Sequence, residues 1–202
     1  MVAIKEHFPK LTPEEYFAWE DRQLERHEYI DGEVYAMSGG SVNHSEIASK
    51  FNRLLGNHLD DSGCKTLNSD ARIAILEVDE YSYPDGSVTC DERDKITTQY
   101  ITYPCLIVEV LSDSTVRAAS AFAEAYDRGE KFYRYRRNPV LQDYLLVSAK
   151  SIAIDLYHKN DAGDWIILNY RAGDLIELKS INLTFPIEQV YREIIFSIDA
   201  KS

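Results

Sequence analysis

The sequence has few cysteines, and they are not arranged as a metal or redox site. Only 3 of its 202 residues are cysteine. Cys64, Cys90 and Cys105 are far apart along the chain and lack the close paired spacing of thiolate metal ligands or redox pairs. We therefore expect three reduced and mostly buried thiols.

A long hydrophobic run is also missing. The longest strongly apolar stretch, Cys105 to Leu111, is interrupted by Glu109, and the start of the chain reaches Lys5 and Glu6 almost at once. Neither a membrane span nor a signal peptide fits these patterns. We expect a cytoplasmic protein that does not associate with membranes.

Basic residues are outnumbered by acidic ones. The chain has 22 Lys and Arg against 34 Asp and Glu, a formal net charge of -12 and a pI near 4.8. This balance argues against non-specific binding to nucleic acid, because affinity for a polyanion comes largely from cations that neutralise phosphates. A local basic face or a bridging cation could still serve a nuclease.

The chain has 9 Gly and 6 Pro, and no stretch rich in these residues is long enough for an interdomain linker. We therefore expect one domain over residues 1–202.

Local patterns predict the helices and strands. Thr12 to Glu15 forms a capping-box pattern that predicts a helix to about Arg22, and Asp31-Gly32 predicts a hairpin. A second helix is expected from Asn43 to about Leu59, with Asn43 and Glu46 as cap partners, and a third over Ala118 to Arg137. Strands are expected at Arg26 to Ile30, Glu33 to Met37, Cys64 to Leu67, Ala71 to Leu76, Ser87 to Cys90, Leu106 to Leu111, Asp143 to Val147, Ser151 to His158, Asp164 to Arg171 and Leu175 to Leu178. This order predicts a mixed α/β sheet flanked by helices.

Two carboxylates stand on strands that follow each other in the chain. Tyr83-Pro84-Asp85 opens one strand, where Asp85 alone would be read as a turn residue. Glu109 lies inside the next, otherwise apolar strand, where a charge is rarely tolerated without a partner or a metal. If the strands are neighbours, the two carboxylates converge as oxygen ligands suited to Mg²⁺ or Mn²⁺.

The helix after this strand carries most of the local basic charge. Lys131 lies four residues from both Asp127 and Tyr135, so the three side chains share one face. Lys131 could position an attacking water or neutralise charge on a phosphate, although a surface pair with Asp127 is the simpler explanation of these residues alone. Arg128 and Arg134 are candidate contacts to nucleic-acid phosphates, or part of a solvated face.

Glu28 and His44 are candidate accessory residues, although an incidental role explains each of them more simply. The sequence contains no nucleophile elbow, zinc-protease motif, phosphate-binding loop or dinucleotide fingerprint. Gly39-Gly40 is interpreted as a turn.

Taken in order, five motifs resemble the Uma-type family of proposed restriction endonucleases. They are Glu28 to Glu33, His44, Tyr83-Pro84-Asp85, Val108 to Ser112, and Asp127 to Lys131 followed by Tyr144 to Val147. The resemblance extends from about Thr12 to the C-terminal hairpin. It implies the PD-(D/E)XK nuclease superfamily, whose core is a mixed sheet with flanking helices and whose site holds one or two divalent cations.

By this resemblance Asp85 is the first acid of the motif and Glu109 the second. The superfamily places its lysine two positions after the second acid, where this chain has Leu111. The lysine is therefore expected on the following helix, as Lys131. The expected function is hydrolysis of phosphodiester bonds, in DNA first, with Asp85, Glu109 and the Val110 carbonyl holding Mg²⁺ or Mn²⁺.

Two other functions stay open. A nuclease fold without cleavage activity, acting as a binding or regulatory module, agrees with the acidic charge and the displaced lysine. An oligomeric scaffold, such as a homodimer, would use the C-terminal hairpin as its assembly edge, where we expect Trp165, Ile167 and Tyr170 to be exposed.

Overall fold

The computed structural model describes residues 3–5, 10–37, 39–111 and 127–196, with two larger sheets and a two-stranded ribbon. The strands are β1 (Ala3–Lys5), β2 (His27–Ile30), β3 (Glu33–Met37), β4 (Lys65–Asn68), β5 (Ile73–Ile75), β6 (Glu80–Ser82), β7 (Gly86–Thr89), β8 (Leu106–Leu111), β9 (Asp143–Ser148), β10 (Ala153–Lys159), β11 (Trp165–Arg171), β12 (Leu175–Leu178) and β13 (Leu183–Pro186). The five-stranded sheet has the order β1-β3-β2-β6-β5, and the six-stranded sheet β11-β10-β9-β8-β7-β4. β12 and β13 form the ribbon.

Among the described residues the helices are fewer than the strands and mostly short. They are α1 (Pro13–Glu20), α2 (Val42–His58), α3 (Glu92–Lys95), α4 (Phe132–Tyr135) and α5 (Glu188–Tyr191), and a π-helical segment, Asp127–Lys131, leads directly into α4. Residues 118–126 of the third predicted helix lie outside the described residues. Across the described ranges, no helix combines the length and the apolar character needed to cross a bilayer.

The prediction of a mixed α/β fold with flanking helices is confirmed, but the strands divide between two sheets rather than forming one. In the six-stranded sheet β8 pairs antiparallel with β7 and parallel with β9. The five-stranded sheet is antiparallel in all its pairings. An isolated bridge between Ile73 and Ile101 links β5 to the segment that leads into β8.

Local sequence signals explain the first elements. Thr12 and Glu15 form both halves of the capping box at the start of α1. Asp31 and Gly32 have φ of 46° and 84°, the left-handed conformation that a two-residue hairpin requires. The prediction for α2 was wrong in one respect, because Ser41 and not Asn43 caps it.

β8 is one of the two central strands of the six-stranded sheet, and all six of its residues are buried. Leu106, Val108 and Val110 pack into the core beneath α2. Ile107 and Leu111 pack into a second core on the opposite face, with Glu109 between them along the strand. This alternation is the one expected from a strand covered on both sides.

β11 forms one edge of the six-stranded sheet and exposes apolar side chains. Ile166 is 40% exposed and Ile167 is 55% exposed. The expectation that Trp165 and Tyr170 are also exposed was wrong, because both are half-buried, and the Trp165 ring packs edge-on against Phe132. Assembly through this edge stays a prediction.

The expectation of three reduced thiols was wrong for two of them. Cys64 and Cys90 flank the β4 and β7 ladder at opposed positions and form a disulfide, with their Cα atoms 4.2 Å apart. Cys90 is exposed and Cys64 half-buried, so neither is a core thiol. Spacing along the chain did not reveal the pair, because antiparallel pairing brings distant positions together. Cys105 is free, and burial raises the pKa of its thiol to about 11.

Breaking the disulfide should lower thermal stability. It closes a loop between residues 26 apart in sequence, and loss of such a crosslink costs about 3 to 4 kcal/mol, or roughly 10 °C in Tm for a chain of this size. We expect Cys90→Ser to show this loss, while Cys105→Ser serves as the single-cysteine control. Thermal melts with and without reductant make the measurement, since reductant should destabilise the parent and leave Cys90→Ser unchanged. Alkylation of all three cysteines in the unreduced native protein would contradict the assignment.

Candidate active site

The register of β7 and β8 brings the two predicted acids to neighbouring positions. The ladder pairs Gly86 with Val108 and Ser87 with Ile107. One step beyond its end, Asp85 stands opposite Glu109. The carboxylate of Asp85 also accepts a hydrogen bond from the Val110 amide at 2.8 Å. The Asp85 side chain therefore extends the pairing of β7 and β8 by one hydrogen bond beyond the ladder.

Asp85 is 3% exposed and lies against the start of α2. Its Oδ2 lies 3.1 Å from Nε2 of His44, without meeting the geometry of a hydrogen bond. Burial by itself raises the pKa of Asp85, but the contact with His44, the charge of that imidazole and the Val110 amide outweigh it. The pKa of Asp85 is therefore lower than usual, and the side chain is an anion near neutral pH.

Lys131 meets two carboxylates from different sheets. Its Nζ lies 3.2 Å from Oε1 of Glu109 on β8 and 3.0 Å from Oε1 of Glu28 on β2. All three side chains are 2% exposed. The contact with Glu109 is a hydrogen bond, whereas the contact with Glu28 is close without hydrogen-bond geometry. A buried ammonium needs such partners, because desolvation otherwise favours its neutral form.

Tyr135 completes the surroundings of Glu109. It lies four residues after Lys131, as predicted from their shared face, and its hydroxyl donates to Oε1 of Glu109 at 3.3 Å. Burial and the nearby negative charge of Glu109 raise the pKa of Tyr135 well above its usual value. The hydroxyl therefore stays protonated and serves as a donor.

Glu80 is a fourth buried carboxylate that sequence reasoning missed. It is 1% exposed, accepts a hydrogen bond from Ser82 at 2.7 Å and lies 3.4 Å from Nε of Arg134. Burial raises the pKa of Glu80 to about 7, although Arg134 and Ser82 oppose the shift. A carboxyl pKa raised this far is typical of functional sites. The sequence did not single out Glu80 because β6 itself was not predicted.

Two small features position His44 and Asp85. A Cβ at Gly40 would lie 2.5 Å from Nδ1 of His44, so Gly40 leaves space for the imidazole, and Gly39-Gly40 does not form the turn interpreted from the sequence. Asn52, also missed from the sequence, donates to the main-chain oxygen of Asp85 at 2.9 Å. In the sequence, Asn52 is a single amide residue on the inner side of an amphipathic helix. One such residue does not indicate a site.

The arginines predicted to contact nucleic acid are placed differently. Arg134 is turned toward carboxylates, with a hydrogen bond of 2.9 Å to Glu130 in addition to its contact with Glu80. The side chain of Arg128 lies outside the described residues. Contact of either residue with nucleic acid stays a prediction.

The donor set suits a hard cation only if main-chain oxygens and water contribute. In the part of the chain that the structure describes, no group of three or more His, Cys, Asp or Glu side chains could hold a metal ion. Four buried carboxylates nevertheless lie in this region. Glu28 and Glu109 contact Lys131, Glu80 lies near Arg134, and Asp85 lies near His44. Mg²⁺ fits such a site, because it commonly uses one or two carboxylates and keeps several waters.

The same chain matches known proteins over most of its length. Residues 13–188 match the model of the Uma2 family, described as "Putative restriction endonuclease". An uncharacterised protein of Synechocystis sp., slr1290, is 59% identical over 189 residues, which cover 94% of this chain and 95% of that protein. A second uncharacterised protein of Synechocystis sp., sll1609, is 34% identical over 160 residues, which cover 78% of this chain and 85% of that protein.

One solved structure shows the same fold. A crystal structure described as a putative nuclease belonging to DUF820, from Anabaena variabilis, aligns with a TM-score of 0.69 at 15% identity and covers 90% of this chain and 97% of that one. This likeness speaks for the architecture alone, because function is carried by sites and not by folds. The family match spans all five motifs on which the resemblance was based, and the chain belongs to the Uma2 family of putative restriction endonucleases.

Proposed function

We propose that this protein is a divalent-metal-dependent endonuclease that hydrolyses phosphodiester bonds and that its substrate is DNA. The observation that carries the proposal is the position of Lys131. Its ammonium contacts Glu109 at 3.2 Å although the two are 22 residues apart in sequence. Leu111 occupies the superfamily's lysine position, and Lys131 supplies the missing charge from the next helix.

Asp85, Glu109 and the main-chain carbonyl of Val110 would hold Mg²⁺ or Mn²⁺. When bound, the cation would supply Lewis-acid stabilisation of charge at the phosphate. The neighbouring positions of Asp85 and Glu109 on paired strands support this assignment, because hard divalent cations are held by oxygen ligands.

The protein's own groups would prepare the site for this chemistry. Tyr135 orients the Glu109 carboxylate, and the Val110 amide orients Asp85. Glu28 holds Lys131 where it can stabilise developing negative charge on a phosphate oxygen. These contacts are made within the folded protein, so the side chains are oriented before a substrate binds.

One observation favours the rival function of a nuclease fold that binds without cleaving. Glu28, Asp85 and Glu109 are each at most 3% exposed, and each already has a protein partner. A phosphodiester could reach them only after a local opening. The rival function predicts binding of nucleic acid with no cleavage in Mg²⁺ or Mn²⁺, so cleavage assays separate the two functions.

Removing either acid without changing its size should abolish cleavage and weaken metal binding. We expect Asp85→Asn and Glu109→Gln to lose plasmid cleavage, and to lose more Mn²⁺ affinity than the roughly 10- to 100-fold typical of an outer-shell partner. Cleavage of supercoiled plasmid and calorimetric Mn²⁺ titration measure the two effects. Glu77→Gln, which removes an exposed carboxylate, is the matched control. Parental cleavage by Asp85→Asn would end the proposed mechanism.

Replacing the lysine should affect rate and leave metal binding in place. We expect Lys131→Met to cleave roughly a hundred- to a thousandfold more slowly, because one preorganised charge is lost. Its Mn²⁺ affinity should be at least parental, since a repelling cation next to Glu109 has gone. Lys131→Gln, which also removes the charge, tests the same position if the Met variant fails to fold by circular dichroism. Cleavage at the parental rate by a folded Lys131→Met protein would remove this residue from the site.

A further inference from the structure

Glu20, the last residue of α1, is a buried carboxylate outside the candidate active site. It is 6% exposed. Its Oε1 accepts hydrogen bonds from the main-chain amide of His27 at 3.0 Å and from the hydroxyl of Tyr83 at 3.2 Å. Its Oε2 lies 3.0 Å from Nδ1 of His27. A buried carboxylate is costly unless donors satisfy it, and those of Glu20 come from two segments that are far apart in the chain.

These two segments meet where the ladder between β2 and β6 ends. The last pair at this end is Tyr29 with Tyr81. Two steps further in the same register, His27 would stand opposite Tyr83. At that point Glu20 joins the two residues through its carboxylate. Glu20 therefore ties the start of β2 to the end of β6 beyond their last backbone pair.

Tyr83 begins the segment by which the chain crosses from one sheet to the other. β6 belongs to the five-stranded sheet, and β7, which starts at Gly86, belongs to the six-stranded sheet. Tyr83, Pro84 and Asp85 connect the two strands. The middle residue is a proline, whose ring fixes φ. A crossover this short and this stiff transmits the position of Tyr83 to Asp85.

Arg72 holds the same tyrosine from another side. Its Nε donates to the Tyr83 hydroxyl, and its Cζ lies 5.3 Å from the centre of the Phe17 ring and 5.7 Å from that of Tyr83. The hydroxyl of Tyr83 thus accepts one hydrogen bond and donates another, to Glu20. A phenolic hydroxyl with partners for both roles has a fixed direction.

We propose that Glu20 is a positioning residue for the first acid of the site. It acts through the Tyr83 hydroxyl and holds Asp85 in place opposite Glu109. The inference rests on the proposed function, because it treats Asp85 as a ligand of the divalent cation. Asn52 holds the main-chain oxygen of Asp85 from the side of α2, and Tyr83 holds the same segment from the five-stranded sheet. Without this anchor the Asp85 carboxylate has more freedom, and a ligand that is less well oriented binds its cation more weakly.

The test compares two buried tyrosines that differ in their connection to Asp85. Tyr83→Phe removes the hydroxyl that donates to Glu20. Tyr29→Phe, the matched control, removes a hydroxyl that donates to the main-chain oxygen of Leu11 at 2.9 Å. Thermal melts should show some loss of stability in both variants, because each gives up a hydrogen bond. In calorimetric titration only Tyr83→Phe should lose Mn²⁺ affinity, by about tenfold, the low end for an outer-shell partner.

Substitutions of the carboxylate test the same hydrogen bond from its acceptor side. Glu20→Met keeps the length of the side chain without an acceptor and should lose Mn²⁺ affinity as Tyr83→Phe does. Glu20→Gln keeps an oxygen that can accept from Tyr83 and should restore most of the affinity. Combining Glu20→Met with Tyr83→Phe should cost no more affinity than Glu20→Met alone, because both changes break one interaction. Tyr83→Phe carries the test if Glu20→Met fails to fold.

Parental Mn²⁺ affinity in a folded Tyr83→Phe protein would overturn this inference and leave the nuclease function intact. An equal loss of affinity in Tyr29→Phe would also overturn it, because the effect would then be a general loss of stability. If Tyr83→Phe alone binds Mn²⁺ more weakly but the parent cleaves no DNA, the positioning role stands and the nuclease function fails. A parent that binds no Mn²⁺ contradicts both.

Discussion

The Lys131 ammonium, buried between Glu28 and Glu109, is the interaction on which the arrangement of this molecule depends. Its two partners come from separate sheets, so a single charge joins β2 to β8. An unpaired charge at 2% exposure would cost several kcal/mol. The sheets therefore have to meet in one relative position for the lysine to be tolerated, and that position also places Tyr135 on Glu109.

The two faces of β8 have different surroundings. One face of β8 is covered by α2 and its apolar core, which fixes the strand. The other face carries Glu109 and faces the Lys131 network. α2 contributes to both, since its apolar residues pack on the sheet while His44 and Asn52 hold the side chain and main chain of Asp85. Rigid elements thus position the polar groups more precisely than loops would.

The sequence carried enough information for the local elements and for strand β8. Thr12, Asp31-Gly32 and the run from Leu106 to Leu111 each follow from short-range rules, and the structure agrees with them. Glu109 stood out because a charge in an apolar strand needs a physical reason. The proximity of Lys131 to Glu109 was also predictable, but only by combining a helical face with the resemblance to a family.

The remaining features depend on contacts between distant parts of the chain. Glu80 was missed because its strand has only three residues, and a short strand has little periodicity to detect. The Cys64–Cys90 disulfide requires the register of β4 and β7, which residue spacing does not encode. The split into two sheets, and hence the meeting of Glu28 with Glu109, likewise follows from tertiary packing rather than from local propensity.

Because Lys131 stands far along the chain from Glu28, the order of synthesis matters. A nascent chain that has emerged only as far as β8 has the carboxylates of Glu28, Glu80, Asp85 and Glu109 but neither Lys131 nor Arg134. Mutual repulsion then disfavours closure of the two sheets. Lys131, which is made later, relieves this repulsion, so the contact that joins the two sheets becomes available only after that part of the chain has been synthesised.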